Sequence, residues 1–463
     1  MLIPRLFGQA THGIYGGILG IMEVAVRFGV AGTDKGLYKY LGKGGGEDPA
    51  EGKRAFASAL RLSTLVSSLL AAAMFVGAPL IAAWKETPQI APALRLMSFG
   101  LAPMALVLVL NAAALSKRQA HLPPLIRGVM EPALLTVLTL AAWLSGAGTR
   151  GLAMAYALSY VGLLAFALWL CKRSFEKNWF SGLLRAPKHP DLTRFVRPMV
   201  TLEVMNSLRL RLDTIFVFAV LPPEKMALYA ASEYIGRVAA NVRYAFDGIA
   251  SPLFAEALHS RDLERRRETL QSLTRWVWLL SLPLATTLIS LRADLLGLYG
   301  EAYVAASAIV VVHVLGHFAN GALAFSAALL TMSGRAWLLV LNQAFTLVVH
   351  SLLSWMLIPR LGIMGAALAF LAGMLVPISL SLIEAARLEG VHPFNRALLP
   401  PLAVGLLVLG IQTLVTRLVS PGIPRILGGT LLGLIGYFAL YWLTVFRPEE
   451  KESVSRIKKR ILG

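Results

Sequence analysis

Leu101-Ala-Pro-Met-Ala-Leu-Val-Leu-Val-Leu-Asn-Ala-Ala-Ala-Leu115-Ser-Lys-Arg118 decides the fold class. It runs uncharged from Leu101 to Ser116 and then breaks on two basic residues. A helix rising 1.5 Å per residue needs about 20 apolar residues to cross a bilayer core of about 30 Å. The same pattern recurs along the chain. Thirteen apolar blocks fall near 11–32, 55–83, 94–115, 125–145, 151–171, 194–220, 226–256, 275–298, 303–330, 336–358, 364–386, 397–418 and 425–446. The breaks between them carry Pro, Gly and charge. The second and seventh blocks are long enough to run past the bilayer or tilt within it. The 463 residues are 57% hydrophobic and 15% charged, with mean hydropathy +0.67. A soluble domain carries about 25% charged residues. The composition excludes a soluble globular chain and a disordered one, and the expectation is an all-α polytopic membrane protein.

Charge then sets orientation. The chain has 44 Lys and Arg against 25 Asp and Glu, a net charge of +19. In a soluble protein that excess suggests nucleic acid. In a polytopic membrane protein it follows from positive-inside bias, and no nucleic-acid partner is expected. Counted by alternate loops, 29 basic residues fall on one side and nine on the other. The crowded side includes Lys117, Arg118, the run Arg265-Arg-Arg267 and the tail Arg456-Ile-Lys-Lys-Arg460, which reads as an anchor on anionic lipid. That side is cytoplasmic, so the C-terminus lies inside, the N-terminus outside, and the expected location is the inner (cytoplasmic) membrane.

The sequence also repeats itself. Leu115-Ser-Lys-Arg118 and Leu330-Thr-Met-Ser-Gly-Arg335 are basic breaks before apolar blocks. Gly151-Leu-Ala-Met-Ala-Tyr-Ala-Leu158 matches Gly365-Ala-Ala-Leu-Ala-Phe-Leu-Ala372, and Gly13-Ile-Tyr15 matches Ala227-Leu-Tyr229 at a spacing of 214 residues. A constant offset indicates tandem halves in one orientation, a transporter signature. The expected lobes are 1–190, with five visible helices, and 191–390, with six. Two further helices and the basic tail occupy 391–463. The block 194–220 has no counterpart in the first half. One missing helix explains both the odd count and the outside N-terminus.

Several motifs, in order, resemble a known family. They include Arg197-Pro-Met199, Asp213-Thr-Ile-Phe-Val-Phe218, Lys225-Met-Ala-Leu-Tyr-Ala-Ala-Ser232 and Ser251-Pro-Leu-Phe-Ala-Glu256. Leu279-Leu-Ser-Leu-Pro-Leu284, Leu298-Tyr-Gly-Glu-Ala-Tyr303 and Ile358-Pro-Arg-Leu-Gly-Ile-Met-Gly-Ala-Ala367 continue the series. The chain resembles the multidrug/oligosaccharidyl-lipid/polysaccharide (MOP) exporter superfamily, in its polysaccharide-biosynthesis, O-antigen flippase-like branch. The resemblance implies two six-helix lobes, commonly two added helices, a V-shaped central cavity and flipping of polyprenyl-linked saccharides by alternating access. Here the family's first helix is absent, and Arg5-Leu-Phe-Gly-Gln-Ala-Thr-His-Gly-Ile-Tyr15 resembles its loop into the second.

Charges inside apolar blocks are costly, roughly 2.5–3.5 kcal/mol each at mid-bilayer. They include Glu23 and Arg27, Arg61, Glu131, then Glu203, Arg209, Arg211 and Asp213, then Glu233, Arg237, Arg243 and Asp247. Glu23/Arg27, Arg209/Asp213 and Glu233/Arg237 are i,i+4 and share a helix face. Self-neutralising pairs, or ends snorkelling to the headgroups, are the plain alternative, above all for Arg61 and Arg243. The functional reading is a cationic cavity for a phosphate or pyrophosphate. Arg27, Arg61, Arg209, Arg211, Arg237 and Arg243 are its candidate ligands, because the guanidinium fork stays charged and grips phosphate oxygens in pairs. Glu23, Glu203, Asp213 and Glu233 are the candidates for a coupling proton or ion.

No catalytic constellation, cofactor motif or metal cluster is read. Lys43-Gly-Gly-Gly46 lacks the spacing of a nucleotide-binding loop. His313 and His317 are i,i+4, a metal-capable spacing, but no acid or cysteine completes a set, so hydrogen bonding in a core or cavity is the favoured reading. Cys171, the one cysteine, reads as an apolar residue, with lipidation as the alternative. The leading function is a lipid-linked oligosaccharide flippase, with glycan polymerase and glycosyltransferases as expected partners. A drug or cation exporter is the first alternative, disfavoured by the arginine excess. A membrane polymerase or ligase is the second, disfavoured by short outer loops.

Overall fold

The computed structural model describes residues 2–41, 49–175, 179–183, 186–259 and 262–444. Among these the chain is helical throughout, with no strand. The loop Lys43–Gly46 and the tail Arg456–Arg460 lie outside the described residues. Two compact units emerge, Met1–Ala227 and Leu228–Gly463.

The first unit holds α1 (Gln9–Val30), α2 (Thr33–Tyr40), α3 (Pro49–Trp84), α4 (Ile90–Ser98), α5 (Leu101–Ser116), α6 (Glu131–Leu144), α7 (Gly148–Ser174) and α8 (Leu192–Val220). Helix α9 (Pro223–Arg237) crosses the unit boundary. The second unit continues with α10 (Asn241–His259), α11 (Leu263–Ser290), α12 (Ser307–Leu323), α13 (Phe325–Met332), α14 (Ala336–Leu361), α15 (Ile363–Leu388), α16 (Leu399–Leu418), α17 (Ile423–Leu431) and α18 (Tyr437–Thr444).

Eleven helical segments among the described residues are long and apolar enough to cross a membrane. The thirteen read from sequence are therefore not all reached. Block 194–220 is the single helix α8, but Arg194, Arg197, Glu203, Arg209, Arg211 and Asp213 make it too polar for that standard. Block 226–256 is not one long helix. A 3-10 turn at Val238–Ala240 divides it into α9, of 15 residues, and α10, of 19. The expected overlength of the second block is real, since 36 residues of α3 span about 54 Å.

The helix starts repeat as the sequence does. Gln9 and Pro223 open helices 214 residues apart, as do Pro49 and Leu263. By contacts, however, α8 groups with the first unit, although the repeat assigns it to the second lobe. It packs against α1 through glycines. At Gly13 an added Cβ would strike the Pro223 carbonyl, and at Gly17 the Phe218 ring. Small residues in this way let helix backbones close in where lipid gives no hydrophobic drive. Lys85 donates to the carbonyls of Ala219 (3.3 Å) and Leu221 (2.8 Å), placing a cation at the negative end of α8. Burial lowers that ammonium below the ordinary lysine range.

In the second unit α11 is the axis. Leu270, Leu273 and Val277 pack with Phe254, Phe325 and Leu329. Leu279 and Leu282 pack with Val404, Val408, Tyr437 and Tyr441, which fastens the C-terminal helices α16 and α18 to it. Gln412 adds hydrogen bonds to Thr287 Oγ1 (3.1 Å) and the Gly429 carbonyl (2.8 Å). Helix α14 shows what solvent the fold is built for. Its exposed stripe is Trp337, Leu341, Phe345, Val348, Leu352 and Trp355, while Asn342, Thr346, His350 and Ser354 are buried. That arrangement inverts the soluble pattern and suits a lipid surround.

Candidate functional site

The in-span charges gather into one cluster in each unit. In the first, α1 and α2 face α8 across the glycine contact. Glu23 does not take the Arg27 four residues on; it forms its ion pair with Arg211 on α8. Ser207 Oγ donates to the Glu23 carbonyl at 3.5 Å, in the same seam. One end of that seam is closed by Lys35, 3.2 Å from Glu203 and 3.6 Å from Asp34. Burial acts to lower the Lys35 ammonium, but the Asp34 and Glu203 carboxylates outweigh it and hold its pKa above the ordinary lysine range. Arg209 is buried and donates to Asn206 Oδ1 (3.3 Å). Asp213 is buried and accepts from Thr214 Oγ1 (3.4 Å).

Arg27 is the exception. It is half-buried, and its charge meets no hydrogen-bonding or ionic partner among the described residues. Because Glu23 is already engaged by Arg211, the position that sequence pairs with an acid is left as a cation able to take an anion.

The second unit keeps its i,i+4 pair. Arg237 Nη2 donates to both Glu233 carboxylate oxygens at 2.7 Å, and Nε to Oε1 at 3.0 Å. His317 Nε2 stands 3.8 Å from Glu233 Oε1. Sequence reading weighed His317 only within its own helix and missed this neighbour, because α12 and α9 lie 80 residues apart in the chain. Lys35 was likewise counted as a loop charge. The i,i+4 spacing of His313 and His317 was the one visible signal.

Other candidates have backbone partners. Arg61 donates to the Leu183 carbonyl (3.3 Å) and to that of Ala186, on the segment after α7. Arg243 Nη1 donates to the Asn320 carbonyl (3.2 Å). Glu131 accepts from Tyr160 (2.7 Å) and pairs with Arg127 (3.2 Å). Cys171 is buried. Among the described residues no three or more His, Cys, Asp or Glu side chains converge as a metal ion requires.

A family model described as "Polysaccharide biosynthesis protein" matches residues 2–308. The chain belongs to the polysaccharide biosynthesis protein family. No curated protein matches it in sequence. Two solved structures show the fold this polysaccharide biosynthesis protein adopts. One is an inward-facing multidrug resistance MATE family transporter of the MOP superfamily, with TM-score 0.70, 14% identity, and 83% of this chain and 91% of that one covered. The other is the lipid II flippase MurJ in an inward closed conformation, with TM-score 0.67, 14% identity, and 96% and 100% covered. At that identity the likeness concerns fold alone. Family and fold are those of multi-pass membrane transporters and flippases rather than enzymes, so the charge clusters are read as sites for transport.

Proposed function

We propose that this protein flips polyprenyl-(pyro)phosphate-linked oligosaccharide across the cytoplasmic membrane during surface polysaccharide biosynthesis. The observation that carries the reading is Arg27, a half-buried cation in a membrane helix with no partner among the described residues. A cation left uncompensated at such depth is costly and suits an anionic headgroup. Arg27, Arg209 and Arg237 are the phosphate ligands in this proposal, with Arg61, Arg211 and Arg243 supporting. Glu23, Glu203, Asp213 and Glu233 tune those cations or carry a coupling proton or ion. The sugar crosses in water while the polyprenyl tail stays in lipid, and two packings of the lobes 1–190 and 191–390 alternate access, with residues 391–463 as an appendage. Glycosyltransferases supply the substrate and a polymerase consumes it.

Alanine at Arg27, Arg209 and Arg237 together tests this in a surface-glycan complementation assay. Export is abolished at normal protein level; intact export overturns the cationic-site mechanism. Orientation is tested by impermeant thiol labelling in a Cys171→Ala background. Pro88→Cys labels from outside and Ser333→Cys is protected; the reverse overturns a cytoplasmic C-terminus.

A further inference from the structure

We propose that His317 and Glu233 form a proton-binding site within the second unit, and that its occupation releases Arg237 to an anionic ligand. The ligand's identity as a polyprenyl phosphate or diphosphate rests on the flippase reading; the proton site does not.

The geometry begins with a glycine. At Gly236 an added Cβ would lie 2.5 Å from His313 Cβ and 3.0 Å from the His313 carbonyl carbon, so α9 and α12 run almost backbone to backbone. That approach sets Glu233 beside His317. The Glu233 side chain is 8% exposed, His317 8% and Arg237 32%, so the acid and the imidazole are buried while the guanidinium reaches outward. His317 Nε2 has no hydrogen-bond partner among the described residues. At 3.8 Å it is too far from Glu233 Oε1 for a hydrogen bond, yet near enough to make one by a small movement.

The surroundings leave few other charges to answer a proton there. From α9 come Tyr229, Glu233 and Arg237. On α12 itself is His313, whose ring packs edge-on to Tyr229 (4.9 Å) and Phe370 (5.0 Å). From α10 comes Arg243, held on the Asn320 carbonyl. Helix α15 contributes Phe370, 5.0 Å from the His317 ring, and α11 contributes Trp278, packed on Phe318.

Charge balance gives the switch. Glu233 and Arg237 together are neutral. A proton taken from water onto His317 Nε2 makes the cluster cationic, at high cost in a low-dielectric surround. Two adjustments lower that cost. The new N–H donates to Glu233 Oε1, the oxygen that Arg237 holds through Nε and Nη2. Arg237, freed from a now-neutralised acid, takes an external anion and restores neutrality. Loss of the proton from Nε2 returns Arg237 to Glu233 and expels the anion. Proton and anion therefore favour one another, and by linkage each raises the other's affinity by the same factor.

The test uses the full chain in micelles. Histidine ¹⁵N spectra of the ligand-free protein are followed from pH 5 to 8. One resonance titrates, disappears in H317Q, and titrates at lower pH in E233Q. Farnesyl diphosphate is then the anionic probe. Relative to H317Q, which removes the probe's own titration, the wild type gains about 10-fold in affinity between pH 8 and pH 5.5. E233Q binds tightly at both pH values, and H313F keeps the wild-type pH slope. If no resonance lost in H317Q titrates, or if H317Q keeps the wild-type slope, the proposal is overturned. If His317 titrates as stated but the diphosphate binds at no pH, the proton site stands and the flippase reading falls.

Discussion

Glu23/Arg27 and Glu233/Arg237 are the same motif in two helices, and the two units use it differently. In the first unit the acid crosses to Arg211 on α8 and leaves Arg27 without a partner among the described residues. In the second the acid holds its own helix's arginine at 2.7 Å, with His317 behind it. Spacing along one helix says which residues can meet. The neighbouring helix decides which do. The first unit presents a standing cation, the second a cation that is restrained and conditional.

The largest expected effect comes from breaking the crossed pair. Glu23→Ala strands Arg211 in a mostly buried site and costs about 3 kcal/mol, as removal of one member of a buried pair does. It appears as lost protein accumulation and a lowered Tm in micelles. Glu23→Met with Arg211→Met recovers most of it, whereas no compensation means that the pair does not hold the seam. Next is Arg27→Ala. It removes one charged contact to phosphate, worth about 2 kcal/mol, hence a fall of about 30-fold in farnesyl diphosphate affinity with unchanged Tm. A Tm loss equal to that of Glu23→Ala would erase the distinction between the two positions. Arg237→Lys is milder. It keeps the charge and loses the fork, so glycan export falls only a few-fold and recovers with substrate supply.

The smallest effect is at Lys35→Met. The Lys35–Glu203 pair is partly exposed and contributes under about 1 kcal/mol. Its sign with pH is fixed. The folded-state pKa of Lys35 lies above the ordinary lysine value, so the contribution is complete below that value and is lost as pH rises through the folded one. The Tm difference between Lys35→Met and wild type is present at pH 7 and disappears in strong alkali.

Much of this fold was legible in the sequence because lipid imposes a length and a polarity on every crossing helix. The Leu101–Ser116 run became α5 with the same bounds, and the 214-residue repeat reappears at Gln9 and Pro223. The count of spans was less legible. Charge density marked 194–220 as a site and, for the same reason, made α8 too polar to count as an ordinary span. Nothing in 226–256 signalled the 3-10 turn at Val238, since no Pro or Gly marks it. The site was half legible. Residue type and spacing named Glu233 and Arg237 as a pair, but Lys35 and His317 enter only through α8 and α9, long-range neighbours that no local pattern encodes.

The glycine contact between α1 and α8 changes how a saturation-mutagenesis map of this protein reads. Gly13, Gly17 and Gly20 sit where any side chain meets Pro223, Phe218 or Thr214. They will score as intolerant as any arginine, yet no ligand, proton or charge passes through them. Ranking positions by intolerance alone would place this bare stripe of backbone among the transport residues. A second axis separates the classes: glycine positions lose protein from the membrane, whereas Arg27 loses cargo and leaves the protein in place.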